Sequence, residues 1–231
     1  QFTLNAYDGA LEPMVPGLDR RIETMLRLSD HVGPDRVIWR YDPVILSNRH
    51  PESYHLESFG KIAEKLNGAV HRVMTSYIEF YRKTDRRLMP LELQGFSFDR
   101  KARDETGRFR NLLGQMNPIA NRAGMTMFTC AQPDDYSDMG VLPGACIDGE
   151  LINRLWGTRV ATQKDPGQRA HCRCAKSRDI GMANTCIHGC PYCYSTNDHE
   201  KAAEHYRQHD PDSPSLWGRF EPAIKGQQRL L

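Results

Sequence analysis

Seven cysteines are the residues of this 231-residue chain with the clearest capacity for chemistry. Three of them lie in the run CIHGCPYCY with the spacing C-x3-C-x2-C: Cys186, Cys190 and Cys193. Five of the seven fall between Cys172 and Cys193. An odd, clustered set is a poor disulfide framework, and in a reducing compartment such clusters are more often metal ligands. The sequence therefore predicts a metal centre.

The closely spaced residues Cys186, Cys190 and Cys193, called the triad below, are compatible with three chemistries. A structural zinc site needs four ligands, usually as two close pairs, and His171–Cys174 together with His188 could supply the others. A catalytic thiol needs one cysteine and leaves the spacing unexplained. A 4Fe-4S cluster normally takes four thiolates, so three leave one iron open to a substrate or cofactor. The iron–sulfur interpretation explains most of the spacing.

The four remaining cysteines, called the tetrad below, are Cys130, Cys146, Cys172 and Cys174. Four thiolates are the number that a second, fully ligated 4Fe-4S cluster requires. A zinc ion held by the same four thiolates is one alternative. Cys130 acting alone at the end of a strand is another.

The elements that must position these cysteines alternate between strands and helices. We predict strands at residues 1–7, 36–46, 70–81 and 124–132, and helices at residues 17–33, 51–68, 102–123, 147–156 and 197–209. Residues 84–101 and 133–149 are predicted as loops. This alternation indicates an α/β fold, a partial or permuted (βα) TIM-type barrel with a C-terminal iron–sulfur cluster segment. An open doubly wound sheet is the alternative, although no glycine-rich phosphate loop follows any strand.

The predicted organisation has two parts. Residues 1–135 form the βα barrel portion, and residues 136–231 form a cysteine-rich segment packed on it, ending in a poorly ordered tail rich in Pro, Gly and Gln. Because the chain starts without Met inside a strand pattern, we expect a preceding N-terminal part. No signal peptide and no apolar run of ~20 residues are found, so we expect a cytoplasmic protein with no membrane partner. The net charge of +2 gives no global indication of a nucleic-acid or membrane partner.

Polar or reactive side chains gather toward the C-terminal ends of the predicted strands. Side chains alternate along a strand, and active sites of parallel βα proteins lie at these ends. We therefore expect a ring of six residues there: Asn5, Arg40, Asp42, Glu79, Cys130 and Gln132. The alternatives are that Arg40 and Asp42 simply pair with each other, or that these residues lie where the strands meet solvent.

The triad, with the aromatic Tyr192 directly before its last cysteine, resembles the signature of the radical S-adenosylmethionine enzymes. The resemblance implies a 4Fe-4S cluster on the triad whose open iron chelates the amino and carboxyl groups of S-adenosylmethionine. Reduction would then cleave the sulfonium to a 5′-deoxyadenosyl radical. An electron donor such as a flavodoxin or ferredoxin is implied as a partner. In this hypothesis the catalytic residues are Arg40, Asp42 and Glu79, and the cofactor-binding residues are Asn5, Gln132 and Tyr192.

The chain also resembles a bacterial family of unknown function whose C-terminal cysteines look like a radical-SAM cluster loop. The segments that carry this resemblance are VIWRYDPVIL, TSYIEFYRKT, GACIDGELI, CRCAKSRDIGMANTCIHGCPYCYS and HDPDSP. The strand–helix run is similar to the barrel half of spore photoproduct lyase, a radical-SAM enzyme that repairs a thymine lesion. In that superfamily the cluster loop follows the first strand, whereas here it follows the last. A circular permutation, with KSRDIGMANT as the first strand, would explain the order.

A second hypothesis is a non-catalytic iron–sulfur or zinc module that binds nucleic acid. It depends on a run of basic residues that could contact phosphates: Arg82, Lys83, Arg86, Arg87, Arg100, Lys101 and Arg103. The alternative interpretation of this run is a solvated loop. Formation of 5′-deoxyadenosine under reduction would separate the enzyme from the binding module.

Overall fold

One parallel sheet forms the centre of the fold. The computed structural model describes residues 1–215 and 217–218. The five strands are β1 (Phe2–Thr3), β2 (Trp39–Val44), β3 (Arg72–Tyr77), β4 (Thr126–Cys130) and β5 (Leu142–Gly144). They lie side by side in chain order, and every neighbouring pair is parallel. The predicted α/β class is therefore confirmed as a mixed fold on a five-stranded parallel sheet.

The strand order has no reversal, whereas a doubly wound sheet reverses its order at a switch point. Among the described residues, β1 and β5 each pair with one neighbour, so the sheet is open. The helices are α1 (Leu18–Val32), α2 (Glu52–Lys65), α3 (Arg82–Leu93), α4 (Arg108–Arg122), α5 (Gly149–Trp156) and α6 (His199–Arg207). No helix in these residues is long and apolar enough to cross a membrane.

One face of the sheet, called the outer face, packs against the first four helices in a single hydrophobic core. Trp39 of β2 is fully buried and stacks on Phe59 of α2, with ring centroids 4.7 Å apart. Such aromatic pairs add to the burial of apolar area that drives folding. The rest of this core comes from strand residues two positions apart and from helix residues four positions apart. Side chains at these spacings share one face of their element. The helix layer thus holds the strands from one side.

The opposite face, called the inner face, carries the second and smaller apolar cluster, formed by Ile38, Met74, Cys130 and Leu151. Leu151 lies on α5, so this short helix covers the inner face. The strand β5 approaches β4 closely: a Cβ on Gly144 would lie 2.9 Å from the Phe128 Cβ. Glycine is therefore required for this contact.

The sheet curves toward its inner face. The Gln1 side chain, directly before β1, accepts a hydrogen bond of 2.7 Å from Arg40. It also donates to the backbone carbonyl of Cys146, which follows β5. Side chains from one edge of the sheet therefore reach the segment that leaves the other edge.

Two predicted loops were wrong. Residues 84–101 contain most of α3, where Thr84 and Leu88 are buried at a spacing of four residues. Pro90 lies inside this helix, and the sequence pattern did not indicate a helix there because proline is unfavourable in a helix interior. Residues 133–149 contain β5, a three-residue edge strand that includes Pro143, as edge strands tolerate.

Three further boundaries differ from the predictions. The helix predicted at 102–123 begins only at Arg108, because Gly107 adopts a left-handed conformation at its N-terminus. Residues 176–185, proposed as the permuted first strand, form no strand. The strand β1 is two residues long rather than seven. The predicted disordered tail lies largely outside the described residues.

Candidate metal and cofactor site at the carboxyl ends of the strands

Arg40 and Asp42 point to the inner face of β2 and form an ion pair there. The other Asp42 carboxylate oxygen accepts a hydrogen bond from the Ser76 hydroxyl of β3. Asn5 holds the Asp42 backbone through two bonds, donating to its carbonyl at 3.0 Å and accepting from its amide at 2.9 Å. The predicted pairing of Arg40 with Asp42 therefore exists, within a larger hydrogen-bonded group.

The Arg40 guanidinium also donates to the Cys146 sulfur, with 2.8 Å between Nη1 and Sγ. The Cys130 and Cys146 sulfurs are 3.1 Å apart. Their hydrogen bond lowers the pKa of Cys146, and the positive charge of Arg40 lowers it further against the effect of burial. The same bond and burial raise the pKa of Cys130. The structure thus favours a thiolate at Cys146.

Cys172 and Cys174 form the other half of the tetrad. Both are buried, and the Cys174 amide points at the Cys172 sulfur at 3.5 Å. The Ile147 amide donates to the Cys174 sulfur at 3.4 Å, so this half lies beside the residue that follows Cys146. Burial raises the pKa of Cys174 to about 11. The tetrad is therefore two contacting pairs joined through Ile147.

The loop that carries the triad, residues 186–195 and called the triad loop below, is anchored through Tyr192 to the segment that follows β1. Its hydroxyl donates to the Glu12 carboxylate at 2.7 Å, and its ring lies 6.0 Å from that of Tyr7. Glu12 is buried; the Asn5 amide donates to the same carboxylate oxygen at 3.3 Å, and Arg21 forms an ion pair with the other oxygen at 3.3 Å. Burial, followed by the Glu12 charge, raises the pKa of Tyr192. Tyr192 thus anchors the loop, while its predicted contact with a cofactor stays a prediction.

The α3 helix holds the loop from the other side. Arg87 donates to the Cys193 carbonyl at 3.0 Å and to the Asn197 carbonyl at 2.8 Å. Within the triad, Cys186 is exposed while Cys190 and Cys193 are half-buried. Burial and the charge of Glu12 raise the pKa of Cys190 to about 12.

The predicted ring of strand-end residues is assembled only in part. Glu79 lies beyond the end of β3 and pairs with Arg103 at 2.6 Å instead of joining Asp42. Gln132 donates to the Cys130 carbonyl at 3.2 Å, and its buried side-chain oxygen has no hydrogen-bond partner among the described residues. Between them, Ala131 has a φ of 49°, a conformation that non-glycine residues rarely adopt.

Two aromatic residues and an arginine lie over this edge of the sheet. The Tyr194 ring is 6.0 Å from that of Tyr81, and the Tyr81 hydroxyl receives a bond of 3.2 Å from Arg169. Burial and the Asp42 charge raise the pKa of Tyr194. The triad loop and the Arg40–Asp42 pair thus share one neighbourhood.

The donor chemistry of the seven cysteines fits two metal centres. Their sulfurs fall into one group of three on a single loop and one group of four at the inner face. Across residues 1–215 and 217–218, however, no three or more His, Cys, Asp or Glu side chains are arranged closely enough to hold a metal ion.

A cleft of about 320 Å³ lies on the inner face beside the tetrad. Arg72 crosses it, paired with Asp148 at 3.0 Å and resting on the Phe128 ring at 4.9 Å. The cleft extends from Arg72, the first residue of β3, to Gly144, the last residue of β5. None of the six residues of the predicted ring lines it.

Several residues of the site were not predicted from the sequence. Glu12 follows the first strand, so its position in a strand-end loop was a usable signal. Arg87 was noticed only as part of a basic run. Arg87 follows Lys83 by four residues, a spacing that places the two side chains on one face of a helix. The Lys83 ammonium donates to the Asn197 side chain at 2.6 Å, so this helix face contacts the same segment. Ser76 and Arg169 carried no signal.

A comparison with known proteins identifies the family of the chain. No curated protein and no solved structure matches it significantly. A family described as a domain of unknown function (DUF1848) matches residues 1–195, which include the sheet, the tetrad and the triad. The protein therefore belongs to this family of unknown function, DUF1848.

Proposed function

We propose that this protein is a radical S-adenosylmethionine enzyme with a 4Fe-4S cluster on the triad. The observation that carries the proposal is the attachment of the triad loop. Glu12 fastens it through Tyr192 and Arg87 fastens it through Cys193, beside the carboxyl ends of the parallel strands. Parallel βα proteins bind their ligands at this end. Three thiols on a short loop leave one position of a four-iron cluster for a small ligand.

When bound, the cluster and S-adenosylmethionine would supply a one-electron cleavage of the sulfonium, yielding methionine and the 5′-deoxyadenosyl radical. An electron donor such as a flavodoxin or ferredoxin would provide that electron. The chain's own part is to bind and orient. Asp42, held by Arg40 and Asn5, offers carboxylate oxygens to amino or hydroxyl groups. Arg169 offers a cation beside Tyr81.

The topology supports a barrel-type scaffold for this chemistry. Parallel strands in sequential order, with the connecting helices on one face, are the arrangement found in a (βα) barrel. The curvature that brings Gln1 to Cys146 fits the same scaffold. In this proposal the five strands are a barrel portion, and the cysteine-rich segment covers its inner face.

The test is anaerobic reconstitution with iron and sulfide, followed by metal analysis and an assay of 5′-deoxyadenosine under reduction. We expect about eight irons per chain, as two four-iron clusters. About four irons with one zinc would assign the tetrad to zinc. No iron at all would remove the radical mechanism.

The matched variants are Cys190→Ala and Ser195→Ala, both in the triad loop. Cys190→Ala should abolish 5′-deoxyadenosine formation and keep the tetrad metal, because only the triad leaves an iron open. Ser195 is exposed, so its variant should retain full formation. Normal cleavage by Cys190→Ala would refute the assignment.

A further inference from the structure

The guanidinium of Arg40 is directed at the tetrad rather than at open space. Its Nη1 atom lies 2.8 Å from the Cys146 sulfur and 2.7 Å from the Gln1 side-chain oxygen. Its Nη2 atom contacts Asp42. Only 17% of the Arg40 side chain is exposed. In the part of the chain that the structure describes, no other charged side chain donates to a cysteine sulfur.

This guanidinium is held in a fixed orientation from three sides. Asp42 is itself fixed by Ser76 and by both ends of the Asn5 amide. Gln1 in turn donates to the Cys146 carbonyl, so donor and acceptor belong to one hydrogen-bonded group. A guanidinium is not deprotonated in proteins. The side chain therefore stays charged.

We propose that Arg40 is a positioning residue of the tetrad, one that donates an N–H···S hydrogen bond to the metal-bound Cys146 sulfur and sets the reduction potential of the cluster. The inference rests on the proposed function, because it takes the tetrad as an iron–sulfur centre. Hydrogen bonds to the sulfurs tune the potentials of such clusters. The reduced cluster carries more negative charge on its sulfurs, so a donor favours reduction. Loss of Arg40 should lower the potential.

The experiment isolates the tetrad in a chain whose triad is replaced by alanine at Cys186, Cys190 and Cys193. In this background we compare Arg40→Met/Asp42→Asn with the parent by a redox titration followed by electron paramagnetic resonance. The double change avoids leaving Asp42 as an unpaired, half-buried charge. We expect reduction to become at least tenfold less favourable, a shift of about 59 mV for one electron. Arg40→Lys, which keeps a charged donor, should recover part of the shift.

The matched control is Arg72→Met/Asp148→Asn, the ion pair of β3 on the same face. The two side chains are 3.0 Å apart, and Arg72 donates to no cysteine sulfur. Asp148 caps the N-terminus of α5 through a side-chain oxygen, which asparagine retains. The potential of this control should equal that of the parent. An unchanged potential in the Arg40 variant, or a background chain that binds zinc and no iron, would overturn the inference. Failure of the proposed function is seen separately, as absence of 5′-deoxyadenosine from the chain with its triad intact.

Discussion

Glu12 is the residue on which the contacts between the sheet and the triad loop converge. The Tyr192 hydroxyl and the Asn5 amide donate to one oxygen of its buried carboxylate, and Arg21 forms an ion pair with the other. A carboxylate removed from water must be compensated by such donors, so each of them is coupled to the others. The position of the triad loop therefore depends on a residue far away in the sequence.

Replacing Tyr192 with Phe removes one of these donors without changing the ring. Because hydrogen bonds to charged groups contribute about 1.5–3 kcal/mol, we expect a loss of that size in the free energy of unfolding. Urea denaturation of the apoprotein measures it. Tyr206→Phe is the control, since that side chain is 59% exposed on α6. Equal stability of the two variants would show that the Glu12 contact does not anchor the loop.

His55 makes stability depend on pH. Its Nδ1 atom contacts the Tyr41 hydroxyl at 2.9 Å and its Nε2 atom the Ile45 carbonyl at 3.1 Å. Burial lowers its pKa from the ordinary value of 6.5 to about 4. Below 6.5 the unfolded chain therefore binds a proton that the folded chain rejects. The stability contribution is complete above 6.5 and is lost as the pH falls toward 4.

We expect this one histidine to account for about 3 kcal/mol of the acid destabilisation between pH 6.5 and 4. Denaturant unfolding measured across that range in wild type and His55→Gln should show a shallower slope with pH in the variant. His31→Gln, at an exposed position, should keep the wild-type slope. An unchanged slope in His55→Gln would contradict the prediction.

Alternation along the strands predicted some of these residues and misplaced others. It placed Arg40, Asp42 and Cys130 correctly near one another because β2 and β4 are regular up to those positions. It failed for Glu79 because alternation puts that residue on the face of β3 that carries Val73 and Tyr77 of the outer core, whereas Ser76 of the opposite face contacts Asp42. The partners of Glu12 could not be predicted, since they come from distant segments that no local pattern links.

At the scale of elements, α3 links the sheet to the cysteine-rich segment. Its Arg87 bonds to two carbonyls there, while the neighbouring Arg86 is exposed. Arg87→Gln should therefore increase hydrogen exchange at the Cys193 and Thr196 amides about tenfold, because a charge-assisted bond is lost. Arg86→Gln is the control and should leave that exchange unchanged. Equal protection in both variants would exclude α3 as a support of the loop.

The elements that the sequence predicted well are the long and amphipathic ones, such as α1 and α2. Their apolar stripes are periodic, and Pro51 directly precedes the start of α2. The missed β5 is short, contains Pro143 and Gly144, and is stabilised by its approach to Phe128 rather than by its own propensity. Tertiary contact outweighed local preference there.

At the scale of the molecule, five of the seven cations of the basic run behind the nucleic-acid hypothesis are engaged in contacts within the protein. Arg100 pairs with Asp85 and Glu92, and Lys101 pairs with Glu105. Arg103 pairs with two carboxylates, and Lys83 and Arg87 bond to the cysteine-rich segment. Within this run, Arg82 and Arg86 are the cations that are exposed and make no ion pair among the described residues.

We therefore expect weak binding of a single-stranded DNA oligonucleotide, near the ~10⁻⁴ M limit of non-specific binding at physiological salt. The logarithm of the affinity should fall with the logarithm of salt concentration with a slope of about −1.4, which is about 0.7 for each of two contacts. Fluorescence anisotropy measures both quantities. A slope of about −5 would mean that all seven basic residues contact phosphates, and would favour the binding module.

The bonds that fasten the triad loop join residues 180 positions apart at Glu12 and Tyr192, and 106 apart at Arg87 and Cys193. Contacts this distant form late in folding, because the intervening chain must first lose its freedom. During synthesis, the segments that receive the loop leave the ribosome well before the triad cysteines do. The triad would thus dock onto a sheet that is already folded. On the proposed function, we expect insertion of the triad cluster to be the final step of maturation, one that can proceed on the folded apoprotein.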